Sequence, residues 1–289
     1  MPTLRRMDTE ALLQRIGIGG YDGPPRLEAL TQLHEAFVDQ IPYETVQYQV
    51  TRGGPLDPEE VAKRIVARET GGYCFQLNGT FALLLTELGY RVQLHRGGVQ
   101  TVNRPGGVDG SHMVLTVRGL VEDPERAWLV DAGLGDGLRH PMPLETGVSE
   151  QHPFTLRLRP SEIADGWRLD HDPRANLIGM DFEASPVPLE AFAAKHTELS
   201  ADPKSGFVRL ASAFRRTPES VVVLRSIGLS ETFADRVDNR LLDNRADYFT
   251  ALADVFRLPL PHYTDVDRDV LWRRVWTQYE DFLARTTPS

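Results

Sequence analysis

The sequence has a single cysteine, Cys74, among its 289 residues. One cysteine excludes an internal disulfide and a metal site built from several thiolates, and it fits a reducing compartment. No run approaches the roughly 18 apolar residues of a membrane-spanning helix. The N-terminus carries Arg5 and Arg6 but no apolar stretch of signal-peptide length. We therefore expect a cytoplasmic protein with no membrane partner.

The chain also lacks an excess of basic charge. Its formal net charge at pH 7 is −9, whereas affinity for nucleic acid rests on basic surface, so no nucleic-acid partner is expected. Spacings such as HExxH or CxxC are absent, which predicts no metal site. The glycine-rich segments match neither a P-loop nor a GxGxxG strand–helix turn, which disfavours a nucleotide-binding fold.

The first 90 residues have the spacing and punctuation of helices. Asp8 and Asp57 are placed to cap helices, and Pro58 suits the first turn of the second of these. That helix is expected to end at the glycine pair 71–72. A further helix begins near Cys74, carries a strong apolar pattern and stops at Gly89.

After residue 90 the pattern changes to short segments separated by Gly, Pro and Asp, which predicts an antiparallel sheet or barrel. The predicted strands are 91–101, 112–118, 127–131, 154–158 and 166–170. From about residue 187 the signals are mixed, with a strand-like segment at 220–229 and two late helices. This indicates an α+β protein with a helical bundle at 1–90, a β-barrel at 91–200 and a small α/β lid at 201–289.

Cys74 stands between a glycine pair and a predicted helix. The glycines permit a tight turn, and the helix start places unpaired N–H groups and the positive end of the dipole beside the sulfur. Both favour a reactive thiolate, and the same N–H groups suit an oxyanion. The alternative is a buried cysteine that packs as a small apolar side chain.

A nucleophilic cysteine needs a base and a group that orients the base. His112 is expected at the first position of a strand, where it can face a cleft, and Asp131 directly follows the apolar run 128–130. A carboxylate at the end of a buried strand is costly unless it is paired, and an imidazole would pair it. His95, in the middle of a strand, is the rival base. Asp136, in the following glycine loop, is expected to be solvated.

Three segments resemble signatures of the arylamine N-acetyltransferase family, in the family's order and near its spacing. They are GGYCFQLNG at 71–79, GSHMVLTV at 110–117 and WLVDAGLGDG at 128–137. The resemblance runs over most of the chain, with further similar segments at 41–49, 154–170, 205–216 and 241–260. Each segment alone would be unspecific, and the three signatures together are specific.

The resemblance implies the family's fold: a helical bundle, a β-barrel and an α/β lid around a core like that of cysteine proteases. It implies a Cys74–His112–Asp131 triad that takes an acetyl group from acetyl-CoA. An arylamine, hydrazine or hydroxylamine then removes the group in a ping-pong reaction without a metal. In the family, residues that match Tyr73, Val99 and Leu134 help to line the acceptor pocket.

The sequence departs from the family pattern at three positions. Thr70 stands four residues before Cys74, where the family usually has arginine, and Arg68 lies two residues earlier. Thr45 replaces the asparagine of the family's Pro-Phe-Glu-Asn segment, and Leu134 replaces the aromatic residue of its Gly-Phe-Gly run. The leucine widens the pocket and removes a stacking surface worth about 0.5–1.5 kcal/mol to a planar acceptor.

Three alternative functions stay open, and two of them use the same residues. An amide synthase of secondary metabolism would take a larger acyl thioester, from a carrier protein or another donor, and would ignore acetyl-CoA. A cysteine hydrolase of the papain or transglutaminase type has the same order of residues, with water resolving the acyl-enzyme. A scaffold that kept only the fold would need none of the three side chains.

Overall fold

The N-terminal part of the chain is helical, as its apolar spacing predicts. Asp8 caps the first helix by accepting a hydrogen bond from the Ala11 N–H, and Asp57 accepts one from the Glu60 N–H at the third. In the computed structural model, which describes residues 8–286, the four helices are α1 (Thr9–Arg15), α2 (Leu27–Gln40), α3 (Pro58–Arg68) and α4 (Cys74–Glu87).

Helix α4 lies at the centre of this helical layer. Eleven of its residues are buried, because its sequence is apolar on almost every side. Phe81 of α4 packs on Phe37 of α2 with ring centroids 4.8 Å apart. The first residue of α4, Cys74, is therefore attached to the most deeply buried helix of the protein.

The middle of the chain forms an eight-stranded antiparallel sheet. Its strands are β2 (Arg91–Gln100), β3 (His112–Arg118), β4 (Trp128–Val130), β5 (Met142–Pro143), β6 (Gly147–Gln151), β7 (Phe154–Pro160), β8 (Gly166–Asp170) and β9 (Gly179–Pro186). Their order is β5-β4-β3-β2-β9-β8-β7-β6, which curls into a nearly closed barrel. The five strands predicted from 91 to 170 are all present. Strands β5, β6 and β9 were not predicted, although β9 alternates Met180, Phe182 and Ala184 with polar residues.

A second sheet has five strands in the order β1-β10-β11-β12-β13. They are β1 (Tyr43–Glu44), β10 (Ser212–Arg216), β11 (Val221–Arg225), β12 (Gly228–Thr232) and β13 (Val237–Leu241). The strand predicted over 220–229 is divided at Ser226. This residue has a φ of 53°, and its hydroxyl donates to the Val275 carbonyl oxygen, so the chain reverses there.

The remaining helices lie against this second sheet or beside the helical layer. They are α5 (Ala193–Ala201), α6 (Gly206–Arg209), α7 (Arg245–Thr250) and α8 (Asp265–Thr286), with 3-10 turns at Val46–Gln49 and Leu189–Phe192 and a π-helical turn at Ala251–Val255. Within residues 8–286, no helix is both long and apolar enough to cross a membrane. The α+β fold class is confirmed, and the domain limits at 90/91 and 200/201 stay a prediction.

Strand β1 joins the second sheet to the segment that precedes Cys74. The Glu44 N–H donates to the Gly72 carbonyl oxygen at 2.8 Å, and the Gly72 N–H donates to the Pro42 carbonyl oxygen. A side chain at position 71 would meet that same Pro42 oxygen at 2.0 Å. Glycine is therefore required at position 71 for the two backbones to approach this closely.

We expect Gly71→Ala to lower the free energy of unfolding by about 1–3 kcal/mol, because the new methyl group would force the two backbones apart. Gly107→Ala is the matched control, since a methyl group there has no atom within 4 Å, and it should stay within about 0.5 kcal/mol of the parent. Urea unfolding followed by circular dichroism measures both. Equal stability of the two variants would contradict the close approach at Gly71.

Candidate active site

Cys74 is the first residue of α4, directly after the Gly71–Gly72 turn. Its side chain is 3% exposed, and the thiol donates to the Ser111 carbonyl oxygen, with 3.6 Å between sulfur and oxygen. The N–H groups of Cys74 and Phe75 belong to the first helical turn, where no intrahelical acceptor exists. The position combines a nucleophilic atom with free N–H donors and the positive end of a helix dipole.

His112 is the first residue of β3, as predicted, and Asp131 directly follows β4. Strands β3 and β4 pair antiparallel, with Leu115 opposite Val130, so the start of one strand lies beside the end of the other. The His112 Nε2 and the Asp131 Oδ2 are 2.7 Å apart, and both side chains are almost completely buried. The other ring nitrogen, Nδ1, makes no contact with Asp131 and is available to Cys74.

The charge of His112 depends on its neighbours. Burial disfavours the imidazolium, but the charge and hydrogen bond of Asp131 outweigh it, and Cys74 adds a smaller contribution in the same direction. Together these raise the pKa of His112 to about 10. The imidazole is therefore protonated at neutral pH, beside both the carboxylate and the sulfur.

The second oxygen of Asp131 is also satisfied. Its Oδ1 accepts from the Asn78 side-chain amide at 2.9 Å and from the Gly133 N–H at 2.8 Å. Asn78 also donates to the Met113 carbonyl oxygen and accepts from the Ala132 N–H. Because both Asp131 oxygens are held, the carboxylate has one orientation toward the imidazole.

Sequence reasoning missed Asn78. It lies one helical turn after Cys74 on α4 and is completely buried. A polar side chain four residues from a proposed nucleophile faces the same side of the helix. That spacing was the available signal.

Two of the three predicted pocket residues lie together. Val99 on β2 and Leu134 in the loop after β4 belong to one apolar cluster inside the barrel, and the Leu134 side chain lies against the backbone of Gly137. Tyr73 lies elsewhere, in the cluster of the helical layer. It is fully buried, and its hydroxyl donates to the His196 Nδ1 at 2.5 Å.

The position of the family arginine is filled differently in this chain. Arg64, on α3, donates to the Gly71 carbonyl oxygen at 2.9 Å and to the Gln47 side-chain oxygen at 2.6 Å. The same Gln47 side chain donates to Glu44. Burial lowers the pKa of Arg64, while Glu44 acts in the opposite direction. A partly buried cation therefore contacts the Gly71–Gly72 turn although residue 70 is threonine.

One expectation about a neighbouring polar residue is wrong. Asp136 is completely buried rather than solvated, because the Asn176 backbone and side-chain N–H groups both donate to its Oδ2 at 3.0 Å. His196, which had no supporting pattern in the sequence, holds the Tyr73 hydroxyl.

The rival base, His95, is buried on strand β2, opposite Val114 of β3. Its Nε2 contacts the Thr116 hydroxyl at 2.8 Å, and burial lowers its pKa. Among the residues that the structure describes, no group of three His, Cys, Asp or Glu side chains could hold a metal ion.

Comparison with known proteins agrees with this geometry. A family model described as N-acetyltransferase matches residues 26–265. The arylamine N-acetyltransferase 2 of Mesocricetus auratus is 28% identical over 255 residues, which cover 80% of this chain and 87% of that protein. The proansamycin X synthase of Amycolatopsis mediterranei is 35% identical over 155 residues, or 52% of this chain and 58% of that protein.

A solved structure shows the same fold over nearly the whole chain. The Mycobacterium marinum arylamine N-acetyltransferase in complex with CoA matches with a TM-score of 0.82 and 26% identity, covering 93% of this chain and 98% of that one. Because the family model, a relative along most of its length and this structure agree, the chain belongs to the arylamine N-acetyltransferase family.

Proposed function

We propose that the protein transfers an acetyl group from acetyl-CoA to an arylamine, hydrazine or hydroxylamine, with Cys74 as nucleophile, His112 as acid and base, and Asp131 as the group that orients His112. The observation that carries this proposal is the 2.7 Å hydrogen bond between the His112 Nε2 and the Asp131 Oδ2. It leaves the other ring nitrogen, Nδ1, for Cys74, which also interacts with His112. The related protein from Mycobacterium marinum was solved with CoA, which supports acetyl-CoA as donor.

In the first half of the reaction, the Cys74 thiolate attacks the acetyl carbon of the donor thioester. The N–H groups of Cys74 and Phe75 suit the oxyanion that forms. The bond between the acetyl carbon and the CoA sulfur then breaks, and His112 gives its proton to the departing thiolate. An acetyl thioester on Cys74 and a neutral His112 remain.

In the second half, the acceptor nitrogen attacks the acetyl carbon on Cys74. Neutral His112 accepts the proton that the nitrogen loses, which regenerates the imidazolium. The carbon–sulfur bond to Cys74 breaks, and the thiolate is restored beside the imidazolium. Asp131 orients His112 and stabilises the imidazolium in both halves of the reaction.

The acceptor is proposed to lie against Val99 and Leu134, which share an apolar cluster in the barrel. Tyr73, with its buried hydrogen bond to His196, acts on the acceptor site only by shaping the segment before Cys74. A leucine at position 134 favours acceptors that do not depend on ring stacking. We keep a cytoplasmic location as a prediction.

An amide synthase is the second candidate. Its support is the proansamycin X synthase of Amycolatopsis mediterranei, which is 35% identical over 155 residues of this chain. The Mesocricetus auratus enzyme is 28% identical over a longer match of 255 residues. Such an enzyme would load a larger acyl group on Cys74. No comparison supports a carrier protein as the donor.

We expect intact-protein mass spectrometry to show one added acetyl group after mixing with acetyl-CoA in the absence of acceptor. Hydroxylamine should remove it, because it is a thioester, and an arylamine should discharge it to give the acetylated amine. Since Cys74 is the only cysteine, the Cys74→Ala protein should stay unmodified and inactive.

Acetyl transfer by the Cys74→Ala protein would overturn the assignment of the nucleophile. The absence of an acetyl adduct, from protein whose Cys74 still alkylates rapidly, would place the amide synthase first. A bulkier acyl thioester would then be the next donor to test.

We expect Cys74 to react rapidly with iodoacetamide at pH 6. The raised pKa of His112 keeps the imidazolium present from acid pH up to about 10, and this cation favours the thiolate. Asp131→Asn removes the interaction that raises this pKa most, so the imidazolium should be lost at a lower pH and alkylation should slow by about tenfold or more.

The control is Asp243→Asn, which removes a carboxylate from an exposed position. It should alkylate at the parent rate. Parent and Asp131→Asn proteins that react equally slowly at pH 6, at the rate of a simple thiol, would contradict an activated thiolate.

A further inference from the structure

Strand β13 is the outer edge of the five-stranded sheet. It pairs with β12 on one side, and within residues 8–286 no strand pairs with its other side. All five of its residues are exposed. The hydrogen bond from the Leu242 N–H to the Ile227 carbonyl oxygen points into the sheet, so the N–H and C=O groups of Val237, Asn239 and Leu241 point outward.

Two apolar side chains on this edge are exposed to solvent. Val237 is 47% exposed and Leu241 is 52% exposed, at opposite ends of the strand. Exposed strand edges are templates for pairing with another chain, and proteins that avoid such pairing place charged side chains, especially lysine, or proline on them. The charged residues of β13 are one of each sign, so they oppose pairing only in a register that brings like charges together. Between Val237 and Leu241 the sequence has Asp238, Asn239 and Arg240.

We propose that β13 pairs with β13 of a second copy of this chain, antiparallel and centred on Asn239, to give a two-fold dimer with a continuous ten-stranded sheet. In this register Asn239 lies opposite its own copy, Val237 lies opposite Leu241, and Asp238 lies opposite Arg240. The outward-pointing backbone groups at 237, 239 and 241 are symmetric about 239, as an isologous pair requires.

The charges on the strand are complementary to themselves in this register. Arg240 has no carboxylate within 4 Å among the described residues, whereas the copy would place Asp238 beside it. Asp238 has Arg236 of its own chain at 3.1 Å but lies opposite Glu231 on β12. Like charges directly opposite each other destabilise a sheet, as Asp238 and Glu231 do here. In the dimer, Arg240 of the copy would lie beside Asp238 and offset this repulsion.

The proposed dimer surface and the proposed catalytic residues lie near opposite edges of the five-stranded sheet. Strand β1, which contacts the segment before Cys74, lies at the opposite edge from β13. Pairing therefore leaves the active site unobstructed, and the proposal is independent of the proposed function. A single short strand buries a small area, which is typical of weak and reversible association.

We expect sedimentation velocity and light scattering of the full chain to show a shift from the 32.4 kDa monomer to a species of twice that mass. The shift should occur between about 1 µM and about 1 mM, the range in which weak complexes form. A monomer at every concentration would overturn the proposal.

Charge exchange identifies the surface. Asp238→Arg places two arginines on the strand, and Arg240→Asp places two aspartates there, so each variant alone should dimerise at least about tenfold more weakly than the parent. An equimolar mixture of the two should form a heterodimer, and the double variant Asp238→Arg, Arg240→Asp should recover the parent affinity.

All four proteins should unfold at similar temperatures and retain parent acyl transfer, because both positions are exposed. Self-association that neither single variant weakens would place the contact elsewhere and overturn the proposal. The same conclusion follows if the double variant or the mixture fails to restore dimerisation.

Discussion

The buried contact between His112 and Asp131 is the interaction on which the proposed chemistry depends. A carboxylate this deeply buried is costly unless every lone pair is used. One oxygen of Asp131 holds the imidazole, and the other holds Asn78 and the Gly133 N–H. Because Asn78 lies on the helix that begins at Cys74, the same set of hydrogen bonds ties the helical layer to the barrel.

Three separate parts of the fold therefore meet at the start of α4. The barrel supplies His112 and Asp131, the helical layer supplies Cys74, and the five-stranded sheet reaches Gly72 through β1. Arg64 reinforces the last junction from α3, where it holds the Gly71 carbonyl oxygen. A reactive group placed where rigid elements converge loses little entropy when it acts, and this favours catalysis.

The departures from the family pattern have different consequences. At position 70 the chain has threonine, and Arg64 of the neighbouring helix donates to the Gly71 carbonyl oxygen in the same turn. At position 134 nothing comparable occurs, since Leu134 packs on Gly137 and belongs to the apolar barrel cluster. The turn before Cys74 therefore has a guanidinium partner, whereas the barrel cluster has an aliphatic side chain at position 134.

Local patterns in the sequence determined the helices, five of the barrel strands, and the start of α4 at Cys74, because capping, glycine turns and apolar periodicity act over a few residues. They also placed His112 and Asp131 at strand ends. Strands β5, β6 and β9 and the reversal at Ser226 escaped. Strands β5 and β6 are short, and the Ser226 turn is fixed in part by a hydrogen bond to Val275, which is distant in sequence.

Only the tertiary structure decided which polar side chains meet. It buried Asp136 and paired Tyr73 with His196, and it recruited Asn78 and Arg64. These contacts join residues that are far apart in the chain or on different elements. The spacing of Asn78 from Cys74 is the one local signal, and it indicates a shared helix face without identifying the partner of Asn78. Burial and charge pairing are properties of the assembled core, so no local pattern specifies them.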